Sequence, residues 1–213
     1  MVEIDFTKHQ VVLLQGKGGR GKSNAVRYFL IRNIVDDVFE FGVVFTGSKL
    51  NKDFDFLPDE VVIEGFDEDI LENYVAFLEE EKSKGKLPIN FIVFDDLVNL
   101  LKVHDTFLNN FITKVRHYNC RIFICVQHLN QGASTVLKEM TTNALMYKTT
   151  SFNTLRSLWE NFGQSFESFN EFRSFFLDHT KQPFTALGFD SNEERFYTFK
   201  APLMTDFKEK LTF

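Results

Sequence analysis

Short apolar runs alternate along this chain with stretches in which apolar residues return every three or four positions. The runs at 11–14, 41–45, 61–63, 89–94 and 121–126 read as buried strands, with 144–147 a weaker one. Between them, Ala25, Val26, Phe29, Leu30 and Ile34 mark one face of a helix over 22–35. Ile70, Leu71, Tyr74, Phe77 and Leu78 mark a second helix face, with Asp67 as its N-cap. A basic turn at 82–88, holding Gly85 and Pro88, leads into the strand at 89–94. Leu100, Leu101, Phe107, Leu108, Phe111, Ile112 and Val115 predict helical structure up to about Tyr118. Strands and helices in this order imply parallel βαβ units. The expected fold is therefore α/β, a three-layer sandwich with helices on both faces of a mainly parallel sheet.

Beyond residue 150 the pattern changes. Phe166, Phe169, Phe172 and Phe176 predict one side of a helix, and 184–189 and 195–199 flank Asp190, Ser191, Asn192 and Glu193 as the strands of a hairpin. No repeat, low-complexity tract or linker divides the 213 residues. One domain over 1–213 is expected, with a core at about 10–150 and a C-terminal helix and hairpin extension at 151–213.

Composition narrows the function classes. A formal charge of −6 and a pI near 5.4 argue against a broadly basic surface, so any DNA contact must be local. The 27 phenylalanines indicate an aromatic-rich core. Cys120 and Cys125 have neither CxxC nor Cys/His spacing and read as reduced core thiols. No apolar stretch approaches the roughly 18 residues of a membrane span, and the opening MVEIDFTKHQ lacks a secretion signal's apolar run. An intracellular protein without a membrane span is expected.

Between the first strand and the first helix stand Gly16, Lys17, Gly18, Gly19, Arg20, Gly21, Lys22 and Ser23, a full match to G-x-x-x-x-G-K-[ST]. The glycines let the backbone curl around phosphate oxygens, so that N–H groups from Gly16 to Asn24 and the positive end of the helix face the anion. Lys22 is then placed to reach the β and γ phosphates of ATP, and the Ser23 hydroxyl to ligate Mg2+. A glycine-rich surface loop would match the same pattern, but a buried strand before it and an amphipathic helix after it favour phosphate binding.

The strand at 89–94 ends in Asp95 and Asp96, where α/β sheets carry their ligands. Asp95 is the candidate partner of the magnesium shell, and Asp96 the candidate to orient or deprotonate an attacking water. The strand at 121–126 ends in Gln127, a candidate γ-phosphate or water sensor if the two strands are neighbours. His128 has no ligand spacing around it and reads as loop or packing. Arg116, Arg121 and Arg156 are candidates for an arginine supplied to a neighbouring subunit, with Arg116 preferred because it ends the helix after the acidic pair.

In their order, QGKGGRGKSN, FIVFDDL and VRHYNCRIFICVQHLNQ resemble the poxvirus-type viral DNA-packaging ATPases of the FtsK–HerA superfamily, over about 11–148. That resemblance implies an additional-strand P-loop fold and a homo-oligomeric ring moving double-stranded DNA into a preformed capsid. It implies Lys22 and Ser23 in the phosphate loop, Asp95 and Asp96 in the Walker B site, Gln127 as sensor and Arg116 as finger. It further implies a capsid or packaging-vertex partner, and a place in the infected cell or on the virion. Asp96 stands where the wider superfamily usually has glutamate, although its viral members also carry aspartate pairs. Lys82, Lys84 and Lys86 form either a phosphate-contacting loop or a solvated turn, and the Phe166 to Phe176 face either a docking surface or core. A P-loop small-molecule kinase and a nucleotide-dependent assembly switch share the first two motifs, but no arginine-rich lid marks a kinase.

Overall fold

The apolar runs become strands of one 8-stranded sheet in the order β3-β2-β4-β5-β1-β6-β7-β8. The computed structural model describes residues 4–97, 106–129, 133–204, 207, 210 and 211. Its strands are β1 (Val11–Gln15), β2 (Phe41–Thr46), β3 (Val62–Glu64), β4 (Asn90–Asp95), β5 (Cys120–Val126), β6 (Asn143–Tyr147), β7 (Ala186–Asp190) and β8 (Arg195–Phe199). The first six pair in parallel, and β7 and β8 join antiparallel at one edge. The helices are α1 (Lys22–Val35), α2 (Glu68–Ser83), α3 (Thr106–Lys114), α4 (Thr135–Met140), α5 (Phe152–Phe162) and α6 (Phe169–His179).

Burial on both faces explains why the central strands read as continuous apolar runs rather than alternating ones. Val11, Leu13, Ile92, Phe94, Ile122 and Ile124 point to the face covered by α2 through α6. Val12, Leu14, Phe91, Val93, Phe123 and Cys125 point to the other, beneath α1 and Phe54, Phe56 and Leu57. Period-2 side-chain alternation thus feeds two cores, and the three-layer sandwich follows. The phenylalanines fill these cores: Phe6 lies 5.2 Å from Phe29 and 5.3 Å from Phe123, ring centre to ring centre. Phe172 and Phe176 are buried, so that face of α6 is core. Cys120 and Cys125 are buried free thiols on β5.

Several elements depart from the sequence reading. The stretch 82–88 is not all turn, because α2 runs to Ser83 before Lys84 caps it and Gly85 takes φ 72°. Regular α-helix ends at Lys114, and a 3-10 turn over Val115–Tyr118 completes that segment. Leu100 and Leu101 lie outside the described residues. Phe166 precedes α6, whose N-cap is Ser168, although its ring still packs 5.5 Å from Phe172. Phe184 stands outside the hairpin, which begins at Ala186. The segment 144–147, weak by pattern, belongs to a fully buried strand between β1 and β7. Helix α5 was not anticipated, although Ser151 caps it and Leu155, Leu158 and Phe162 supply its buried face.

Candidate functional site

β5 lies between β1 and β4, so the C-terminal ends of all three meet at one sheet edge. β1 carries the glycine loop to that edge, β4 carries Asp95 and Asp96, and β5 carries Gln127. The loop is braced to its neighbour: Gly16 N donates to Val126 O at 3.0 Å, and Gln15 Nε2 to Gln127 O at 3.0 Å. A Cβ on Gly16 would sit 2.8 Å from Tyr147 Cβ, so only glycine permits this approach. Gly19 (φ 70°) and Gly21 (φ 102°) occupy the left-handed region that the tight curl requires.

Gly21 is also the N-cap of α1, which has no side-chain cap and no acidic residue in its first turn. Side chains cap α2, α4, α5 and α6 through Asp67, Ser134, Ser151 and Ser168. The helix after the glycine loop therefore presents its first N–H groups and its positive dipole end without a built-in acceptor. Lys22, almost fully buried, donates from Nζ to Gly16 O at 2.7 Å and reaches Lys17 O at 3.4 Å. Its ammonium is held inside the curl of the loop. The Lys17 and Arg20 side chains are exposed. Asn24 uses its side chain elsewhere, donating to Pro202 O at 2.9 Å and accepting from Met204 N at 3.3 Å, so only its backbone remains for a phosphate.

Ser23 Oγ lies 3.4 Å from Asp95 Oδ2. Asp95 Oδ1 is buried without a hydrogen-bond partner among the described residues. Burial raises the Asp95 carboxyl above its ordinary value and the charge on Asp53 adds to this, while the neighbouring Cys125 thiol and the Lys22 ammonium oppose it. A hydroxyl, a buried carboxylate oxygen lacking a donor and a second carboxylate nearby fit a hard divalent cation. Ser23 and Asp95 would hold Mg2+ there. Asp53, which sequence reasoning missed, lies after β2 and lines the same cavity, and burial raises its carboxyl too, against the opposing pull of Arg27 and Ser23. Among the described residues no three His, Cys, Asp or Glu side chains cluster as a protein-only metal cage.

Gln127 Nε2 donates to Asp96 at 2.8 Å (Oδ1) and 3.1 Å (Oδ2). Asp96 is exposed and adopts φ 50°, an uncommon conformation for a non-glycine residue. Gly47 is packed beneath it: a Cβ there would lie 2.7 Å from Asp96 O, and Gly47 N donates to Asp95 O at 2.9 Å. The Asp96 carboxylate is thus aimed by the amide of the adjacent strand.

The three arginines fare differently. Arg121 is buried, donating to Phe6 O, Thr7 O and Asn119 O at 2.9, 2.7 and 2.7 Å. It staples the chain ahead of β1 to β5 and is unavailable as a finger, which corrects its listing among the candidates on sequence. Arg156 pairs with Glu160 at 2.8 Å and lies over Trp159. Arg116 is exposed in the turn before β5, at the opposite sheet edge from Gln127. With β5 seven residues long, that is roughly 20 Å away, so Arg116 cannot serve the site of its own chain. His128 is exposed. Lys84 is engaged by Glu80 at 2.7 Å and Glu81 at 2.9 Å, which leaves the 82–86 turn mixed in charge.

The phosphate-loop and acidic residues open into one cavity of about 500 Å3. Asn51, Asp53, Phe184, Lys200, Ala201 and Leu203 complete its wall. None of these six carries a motif, and they come from loops that only the fold brings to the site.

No protein-family model matches this chain, and no curated protein matches it. Among solved structures it is similar to the genome packaging NTPase B204 from Sulfolobus turreted icosahedral virus 2 in complex with ATP-gammaS. That likeness has TM-score 0.66 and 16% identity, over 92% of this chain and 98% of that one. B204, the DNA-packaging ATPase from Sulfolobus turreted icosahedral virus, aligns at TM-score 0.64 and 12% identity, over 92% and 99%. The cytoplasmic domain of the Thermomonospora curvata type VII secretion ATPase EccC aligns at TM-score 0.61 and 16% identity, over 93% of this chain and 26% of that one. At these identities the likeness establishes the α/β P-loop NTPase fold.

Proposed function

We propose that this chain is an ATP-driven motor that moves double-stranded viral DNA into a preformed capsid. The observation that carries the enzymatic half is the meeting of Lys22, Ser23, Asp95, Asp96 and Gln127 at one sheet edge. The packaging half is supported by the order of its motifs and by a fold shared along nearly the whole of B204.

In this reading the N–H groups of Gly16 to Asn24 bind the triphosphate, and Lys22 neutralises charge at its β and γ positions. Ser23 and Asp95 would hold Mg2+, which would supply positive charge against the negative charge that gathers on phosphate oxygens during transfer. Asp96 accepts a hydrogen bond from the attacking water and orients it, while Gln127 fixes the carboxylate. Because β5 joins Gln127 to the sheet core, the amide is also placed to report loss of the terminal phosphate.

Arg116 is assigned to a neighbour's site, which makes the active form a homo-oligomeric ring in which each subunit completes the next. Residues 1–213 act as one ATPase unit with its core at 10–150, and 151–213 extend the same sheet. The partners are duplex DNA and the capsid or its packaging vertex, within the infected cell or on the virion. Among the described residues no helix is long and apolar enough to cross a membrane. The test is ATPase rate against protein concentration, with and without duplex DNA. Specific activity that rises with concentration and with DNA is expected. A flat rate unaffected by DNA would refute the motor, and phosphate transfer to a small acceptor would replace it with a kinase.

A further inference from the structure

Among the described residues, six large hydrophobic side chains are exposed: Val35, Leu50, Phe77, Phe152, Phe184 and Leu203. Two of them, Phe184 (53% exposed) and Leu203 (74%), line the same cavity as the glycine loop. Two apolar side chains left open to solvent beside a phosphate site invite a ligand that carries both an anion and a flat apolar face.

Phe184 is held there at a cost. Its φ is 60°, a left-handed conformation that a bulky side chain adopts rarely and with strain. The residue packs against the turn of the glycine loop, where a Cβ on Gly21 would lie 3.5 Å from Phe184 Cδ1. The Leu203 wall is fastened independently. Asn24 bonds Pro202 O and Met204 N on either side of Leu203, and Arg27 Nε donates to Met204 O at 3.1 Å. Both anchors belong to α1, the helix that begins at the glycine loop, so the segment after β8 is tied directly beside the phosphate site. The carboxylates of the cavity, Asp53, Asp95 and Asp96, gather at its Ser23 end.

We propose that Phe184 and Leu203, with Ala201 in the segment after β8, form the stacking platform for the nucleobase, favouring purines by ring area. The proposal rests on the phosphate-site reading and deepens it. The triphosphate occupies the loop, and the base lies over Phe184, beside Gly21. A π face is common to all bases, so the platform selects ring size over edge pattern.

Calorimetric titration separates this platform from the phosphate site, with Mg-ATP and Mg-tripolyphosphate as paired probes on the full chain. For the unaltered protein ATP should bind more tightly than tripolyphosphate, and GTP should resemble ATP, with UTP weaker. Phe184→Ala and Leu203→Ala should each weaken ATP by roughly tenfold, about one base contact, and leave tripolyphosphate unchanged. Phe184→Tyr should restore ATP binding, and Phe152→Ala, on an exposed ring outside the cavity, should change nothing. ATP no tighter than tripolyphosphate, or ATP binding indifferent to Phe184→Ala and Leu203→Ala, overturns the platform alone. Failure of both probes on the unaltered protein removes the phosphate site and the platform with it.

Discussion

Replacing Asp95 with Asn should make the metal-free protein more stable and catalytically inert. Asp95 is 4% exposed, its Oδ1 has no hydrogen-bond partner among the described residues, and burial raises its carboxyl above the usual 3.8. A carboxyl with a raised folded-state value resists ionisation in the fold more than in the unfolded chain. Its charge therefore costs stability as pH climbs from 3.8 through that raised value, and the full cost persists above it. The isosteric amide carries no such charge. It should return about 1 kcal/mol at neutral pH, or roughly 2–4 °C in Tm for a chain of this size. Thermal unfolding in EDTA across pH 3 to 8 should show the two proteins converging in acid and the variant ahead at neutrality. With ATP present, added Mg2+ should stabilise the unaltered protein much more than the variant, and turnover should fall roughly 10²-fold or more. A variant less stable than its parent in EDTA at neutral pH, yet still folded, would refute the claim that burial makes the Asp95 charge a net cost to the fold.

Asp96→Asn should cut ATP turnover by roughly 10²–10⁴-fold with little change in nucleotide affinity, read by steady-state kinetics beside calorimetry; unchanged turnover would remove Asp96 from the mechanism. Gly16→Ala, whose methyl would press 2.8 Å from Tyr147 Cβ, should weaken Mg-ATP binding by at least tenfold, and wild-type affinity would refute the fit of the loop. Arg121→Met orphans the carbonyls of Phe6 and Thr7, takes one of two donors from Asn119 O, which keeps Asn90 N at 3.2 Å, and should cost about 3 kcal/mol, seen as a lower denaturant midpoint. A loss below about 1 kcal/mol would make Arg121 dispensable to the fold.

The placing of the glycine loop after β1 and of the carboxylates at the end of β4 was legible because both signals are local: glycine spacing for a tight curl, and carboxylates where a buried run stops. Gln127 was legible only conditionally, since its role depends on β5 and β4 being neighbours, a fact of topology. Arg121 misled because a charge next to an apolar strand looks like a site until its three nitrogens are seen bonding the carbonyls of Phe6, Thr7 and Asn119 and the Asn119 side-chain oxygen. Asp53, Gly47, Phe184 and Leu203 were invisible because each sits in a loop with no motif, and only long-range packing brings it to the cavity. Helix α5 is a different miss, since the Ser151 cap and the Leu155, Leu158, Phe162 spacing were present and overlooked.

The fastening of residues 202–204 to Asn24 and Arg27 has an implication for biosynthesis. A ribosome that has translated as far as β6 has already made every residue assigned to phosphate, metal and water, yet the wall across from Asn24 is still to come. On the proposed reading, a nascent chain at that point holds the groups assigned to hydrolysis but not yet the wall that would seat the base, so the site is completed last.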